Sequence, residues 1–150
     1  MANAAEIEMI APHHCRARVL YGDTDAGGVV YYGNYLRYFE RGRTELMRER
    51  GISYRELEDH GLIMPVVEAY SRYKAPARYD DLIEIATTFA WVKRLSCRFN
   101  YEIRQATDQR LLVKGFTVHA VVNRQGKLTG LPTVIFTALQ EIIDNHSLST

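Results

Sequence analysis

The sequence predicts an α+β fold in which an antiparallel β-sheet wraps around one long central helix. Within residues 34–50 the apolar positions Tyr35, Phe39, Gly42 and Leu46 recur at steps of four, three and four, which is one face of a helix. From Leu62 onward, segments rich in β-branched and aromatic residues alternate apolar with polar and are separated by short polar turns. Strands joined by hairpin-length turns are antiparallel, and a sheet with one apolar face needs a cover, which the helix supplies.

Residues 1–12 read as a loosely ordered N-terminal segment, and 13–150 as a single domain. Cys15–Tyr21 alternates as a first strand running into an acidic loop. Asn34 is placed to cap the long helix, and Gly51 to end it in the left-handed conformation. The helix's other face carries Arg37, Glu40, Arg41, Glu45, Arg48 and Glu49, a solvated face with opposite charges at pairing distance. Ser53 and Glu56 form a capping-box pattern for a short helix, Tyr54–His60, closed by Gly61.

Leu62–Tyr73 is a strand whose start is demoted by Pro65, and Ala75–Asp81 is a turn or strand entry. Leu82–Val92 follows, with Ile83, Ile85, Thr87, Phe89 and Trp91 on one face. Ser96–Arg104 sets Cys97, Phe99, Tyr101 and Ile103 against polar neighbours. After a hairpin turn at Ala106–Gln109, Leu111–Val122 returns with Phe116, Val118, Ala120 and Val122 on one face. Asn123–Gly126 turns again, Leu131-Pro132 ends the sheet region, and Thr133–Asp144 forms a last helix.

A net charge of +1 argues against a general nucleic-acid binder. No apolar run is long enough for a membrane span, and the N-terminus lacks the basic-then-apolar pattern of a secretory signal, so a cytoplasmic setting is expected. Cys15 and Cys97 have neither metal spacing nor a disulfide framework. Cys15 adjoins His14, but strand neighbours point to opposite faces, which makes a Cys–His dyad geometrically poor. The five histidines, His13, His14, His60, His119 and His146, show no metal spacing; His119 stands out on a strand among valines.

The chemistry concentrates in D-T-D-A-G-G, residues 23–28. An EF-hand loop would need a bidentate glutamate at its twelfth position, where Asn34 stands. A magnesium-dependent phosphatase of the D-x-D type would need alternating βα units, which the hairpin-rich second half does not provide. The third chemistry is metal-free hydrolysis of a thioester, whose thiolate leaves easily. One carboxylate then suffices, as base or as nucleophile, with backbone N–H groups at a helix start to hold the carbonyl oxygen. Asp25, the Gly27-Gly28 bend and the helix start near Tyr32 supply those parts at short range. Asp23 reads as a structural acceptor of the loop. Tyr31, Tyr35 and Tyr38 read as packing residues.

The run GDTDAGGVVYYGNYLRYFERGRTE resembles the signature of the 4-hydroxybenzoyl-CoA thioesterase family, particularly its YbgC-like acyl-CoA thioesterase branch. Further likeness extends through MPVVEAYSRYKAPARYDDLIEI, RLSCRFNYEI and LLVKGFTVHAVVNRQGKLTGLP. The resemblance implies the hotdog fold, subunits paired through their sheets, active sites at the dimer interface, and a homodimer or tetramer. It puts the catalytic aspartate at Asp25 and the oxyanion-binding backbone N–H at Tyr32, with Gly28 and Val29 at the substrate. Many YbgC-like members carry histidine and alanine where this chain has Tyr32 and Gly33, so the acyl group stays open between aromatic and aliphatic. The expected activity is hydrolysis of an acyl-CoA to free acid and CoA, with no cofactor and no metal. An acyl-carrier-protein thioesterase and a non-catalytic acyl-CoA-binding protein are the alternatives. Lys93 and Arg94, a basic pair in a strand connection, are candidates for the CoA phosphates.

Overall fold

A computed structural model of the chain describes residues 12–148. The expectation of a loose N-terminal segment therefore falls, apart from Pro12, outside the described residues. Five strands form one antiparallel sheet: β1 (His13–Arg18), β2 (Val66–Tyr73), β3 (Leu82–Val92), β4 (Ser96–Gln105) and β5 (Leu111–Ala120), in the order β1-β3-β4-β5-β2. The helices are α1 (Tyr35–Glu49), α2 (Tyr54–Asp59) and α3 (Thr133–Leu148).

Helix α1 lies on the sheet as its spacing predicts. Tyr35, Phe39 and Leu46 are buried on the expected stripe, joined by Tyr38 and Met47. Two glycines set how closely helix and sheet approach. A Cβ on Gly42 would stand 2.3 Å from Thr87 Oγ1 and 2.8 Å from Ile85 Cγ2. On Gly115 it would meet the Tyr70 carbonyl oxygen at 2.3 Å and Phe39 Cζ at 2.7 Å. Phe39 uses the space to stack on Tyr101, with ring centroids 4.3 Å apart. Gly51 ends the helix at φ +84°. Ser53 Oγ accepts the Glu56 N–H at 3.1 Å, which caps α2.

Four expectations need correction. The first strand is His13–Arg18, because a 3₁₀ turn at Tyr21–Asp23 bends the chain away. Asn34 is itself helical and makes no side-chain cap; a 3₁₀ turn at Tyr32–Asn34 leads into α1 instead. In β3 the register shifts between Phe89 and Trp91, so Val92 is buried on the core side and Trp91 is not. In β5 the core face is Val113, Thr117 and His119. Phe116, Val118 and Ala120 share the opposite face, where Phe116 stacks on Tyr70 at 5.3 Å and lies under the Arg98 guanidinium at 3.8 Å. Gly115 decides the matter, because only a glycine fits beneath Phe39.

His119 belongs to a buried polar chain through the core. Met64 O can only accept, so His119 Nδ1 donates to it at 3.0 Å. Nε2 then accepts from Thr117 Oγ1 at 2.9 Å, and Thr117 accepts from the Tyr101 hydroxyl at 2.6 Å. Arg43, which can only donate, completes the series at Tyr101, 3.5 Å away. Burial holds the imidazole down to about 4, so the ring stays neutral with its one N–H on Nδ1.

Candidate active site

Asp23 is the hub on which the acidic loop and the start of α1 are assembled. Its Oδ2 accepts the Leu20 N–H and the Tyr38 hydroxyl, each at 2.9 Å. Its carbonyl accepts the Tyr31 N–H at 2.9 Å and Asn34 Nδ2 at 2.8 Å. Asn34 thus ties the loop from its side chain instead of capping the helix. Burial first, and then the Asp23 carboxylate, push the Tyr38 phenol well above its ordinary range, so it remains a donor. The reading of Asp23 as a structural acceptor fits all four bonds.

Asp25 is held differently. The chain folds back on itself, with Asp25 N–H donating to Val29 O at 2.8 Å and Gly28 N–H to Asp25 O at 3.0 Å. Gly28 takes φ +81° to make this bend. Asp25 Oδ1 accepts the Gly27 N–H at 2.8 Å and the Val29 N–H at 3.4 Å. The carboxylate is exposed and oriented by backbone. The loop is in turn fixed to residues 77–78: Val30 N–H donates to Ala77 O at 2.9 Å, and Val29 bridges Arg78.

Tyr32 opens the 3₁₀ turn, and the first N–H groups of a helical turn have no acceptor within it. Its ring is 62% exposed and lies against Tyr31, with centroids 4.5 Å apart. Asp25, Gly28, Val29 and Tyr32 therefore lie on one continuous loop-to-helix segment.

Lys93 and Arg94 are not brought to it within one protomer. They follow the far end of β3, whose eleven residues span roughly 30 Å, whereas the Asp25 loop lies by its first residue. Lys93 Nζ sits over the Trp91 ring at 4.8 Å and the Arg94 guanidinium over Phe136 at 5.1 Å.

Sequence reasoning missed two neighbours of the junction. The Tyr73 hydroxyl, from the end of β2, donates to the Tyr32 carbonyl at 3.0 Å. Arg78 Nη1 comes within 3.9 Å of where a Cβ on Gly28 would stand. Neither carries a local signal, because contacts 41 or more positions apart depend on how the sheet edge folds back. Among the described residues no group of three or more His, Cys, Asp or Glu side chains is arranged to hold a metal ion. No helix among them is long and apolar enough to cross a membrane.

Known proteins share this architecture. The sequence profile of the thioesterase-like superfamily matches residues 19–140. A putative esterase of Aquifex aeolicus is 33% identical over 130 residues, covering 87% of this chain and 99% of its own. The acyl-CoA thioester hydrolase YbgC of Escherichia coli O157:H7 is 39% identical over 94 residues, 63% of this chain and 70% of its own. The crystal structure of a 1,4-dihydroxy-2-naphthoyl-CoA thioesterase from Synechocystis superposes with a TM-score of 0.77 at 25% identity, covering 85% of this chain and 95% of that one. The profile match over most of the chain and the sheet around α1 agree, and the chain belongs to the thioesterase-like superfamily as a thioester hydrolase of hotdog fold.

Proposed function

We propose that this chain hydrolyses acyl-CoA thioesters to the free acid and CoA, with Asp25 as the reacting carboxylate and the Tyr32 N–H as an oxyanion donor. The observation that carries the reading is the junction itself. An exposed carboxylate, with one oxygen held by the Gly27 and Val29 amides, sits on the loop that runs directly into the helical turn opening at Tyr32. Relatives named as acyl-CoA thioester hydrolases support the substrate class.

Two routes satisfy the same geometry. As a base, Asp25 takes a proton from water as the water oxygen attacks the carbonyl carbon; the C–S bond then breaks and the thiolate leaves. As a nucleophile, a carboxylate oxygen attacks, the thiolate leaves, and water hydrolyses the resulting anhydride. In either route negative charge builds on the carbonyl oxygen, where a preorganised N–H is worth about 3 kcal/mol. Single turnover in ¹⁸O-water puts label in Asp25 when water opens the anhydride at the Asp25 carbonyl, an outcome the base route cannot produce.

The active unit is proposed to be a homodimer or a tetramer. Strand β2 is an edge strand exposed along nearly all its length, and such edges are usually paired or covered. Asp25 lines neither the cavity of about 720 Å³ on the outer sheet face nor the groove of about 370 Å³ beside α1, and a paired subunit would supply a wall for an acyl chain beside it. A CoA ester as substrate implies a cytoplasmic setting.

Asp25→Asn tests the reading. The amide oxygen can still accept from Gly27, so folding should be preserved, but the side chain can no longer take a proton or attack. Turnover of an acyl-CoA, followed by free thiol, should fall by a factor of about 10³ or more. Near-wild-type turnover would remove Asp25 from the chemistry. An acyl-carrier-protein ester, run alongside, distinguishes the two carriers.

A further inference from the structure

From the bond between Tyr73 and Tyr32 we infer that Tyr73 is a positioning residue for the oxyanion donors, acting on the reaction through a backbone carbonyl it does not share with the substrate. The inference rests on the acyl-CoA reading above. Tyr73 ends edge strand β2, and its hydroxyl donates to the Tyr32 carbonyl at 3.0 Å. Its ring is packed on both sides of that bond. It meets Tyr35, the first residue of α1, at 5.5 Å between centroids and Tyr32 edge-on at 6.4 Å. The hydroxyl is therefore aimed, although the residue is 47% exposed.

The peptide unit is planar, with its C=O and N–H pointing in opposite directions. Fixing the Tyr32 carbonyl thus fixes the Gly33 N–H, the second unpartnered donor of the turn. The same bond polarises the Tyr32–Gly33 amide, which makes its N–H a stronger donor. The Tyr32 N–H lies one peptide earlier in the same tight turn, whose entry is already pinned by the Tyr31 N–H on Asp23 and closed by Asn34 N–H on Tyr31 O. Tyr73 supplies the missing restraint from the sheet side. Without it the Tyr32 carbonyl keeps only the Tyr35 N–H of the turn itself as a partner. A merely structural tyrosine would fill space with its ring; this one places its polar atom on the carbonyl whose orientation sets the Gly33 N–H.

Tyr73→Phe keeps the ring and removes the bond. The expected result is a kcat lower by about tenfold, with KM for acyl-CoA changed less than twofold, because the donors act on the charge that develops after binding. The amide ¹⁵N signal of Gly33 should shift in the variant, reporting the lost bond without turnover, while the unfolding temperature stays within a few degrees. Tyr70→Phe, on the opposite sheet face, should leave both kinetic constants and the Gly33 signal as in the wild type. An active wild type with unchanged kcat in Tyr73→Phe, or a KM rise alone, would overturn the role of Tyr73 while leaving the acyl-CoA reading in place. A wild type inactive on every acyl-CoA tried would overturn that reading and this role with it.

Discussion

The Tyr38 hydroxyl meets Asp23 Oδ2 at 2.9 Å, so the first turn of α1 is fastened to the acidic loop side chain to side chain. Tyr38→Phe removes one bond of the hub and leaves Oδ2 with the Leu20 N–H. A hydrogen bond of this kind is worth about 1 kcal/mol, more when the acceptor is charged. In a chain of this size that lowers the unfolding temperature by about 3 °C. Activity should fall modestly, because the loop keeps its backbone ties. Asp23→Asn should likewise be milder than Asp25→Asn in turnover. If Asp23→Asn abolished hydrolysis without loss of stability, Asp23 would be the reacting carboxylate and the roles of the two acids would exchange.

Gly42→Ala sets two effects against each other. Alanine in a helix interior gains about 1 kcal/mol over glycine. The added methyl, however, would stand 2.3 Å from Thr87 Oγ1 in the core, and overpacking of that kind costs about 1–3 kcal/mol. Thr87 is fully buried and β-branched, so it has little room to turn. The clash should win, and denaturant unfolding should show a net loss of up to about 2 kcal/mol. Adding Thr87→Ala should recover part of it. A Gly42→Ala protein more stable than wild type would mean that helix and sheet separate more readily than this contact implies.

The helix, the succession of strands along the chain and the acidic loop were legible because each is written in local spacing. Tyr35, Phe39, Gly42 and Leu46 mark one face of α1, and Gly51 its end. The choice of core face in β5 was not legible, since the outward face, with Phe116, Val118 and Ala120, is the more apolar of the two; it turned on Gly115 beneath Phe39, a contact between distant parts of the chain. Asn34 carried a cap signal but is drawn to the Asp23 carbonyl eleven positions earlier. The shift of Trp91 out of the core follows from a bulge, which alternation cannot announce. At the candidate site the glycine bend and the aspartate pair were visible, whereas Tyr73 and Arg78 reach the junction only through tertiary folding.

Stability should depend on acid through His119. Its folded value lies near 4, below the ordinary 6.5, because the buried ring is held neutral. Above pH 6.5 both folded and unfolded imidazoles are neutral and the contribution is fully present. Between about 6.5 and 4 the unfolded state binds a proton that the folded state does not, so stability falls with pH. Below about 4 both bind it and the loss levels off, at roughly 3 kcal/mol from this group. Denaturant unfolding at pH 7, 5.5 and 4 measures the slope, and His119→Gln should flatten that part of it. An unchanged slope in the variant would assign the acid sensitivity to other groups.

Lys93 and Arg94 lie about 30 Å along β3 from the Asp25 loop of their own protomer. If they hold CoA phosphates, they serve the site of a second subunit. Each cation already rests on an aromatic ring, so its charge is oriented without being neutralised. Lys93→Ala with Arg94→Ala should raise KM for acyl-CoA by about tenfold with kcat little changed, the mark of lost uniform binding. Salt should weaken the wild type in the same direction, and a small thioester lacking the nucleotide should not respond. A mixing experiment decides the geometry. Asp25→Asn subunits retain the basic pair, and the double-alanine subunits retain Asp25. A heterodimer of the two assembles one intact site only if the pair acts across the interface. Refolding the two variants together and assaying well below KM should then recover activity that neither variant shows alone at that concentration. Activity no greater than the sum of the separate proteins would confine the phosphate site to residues other than this pair.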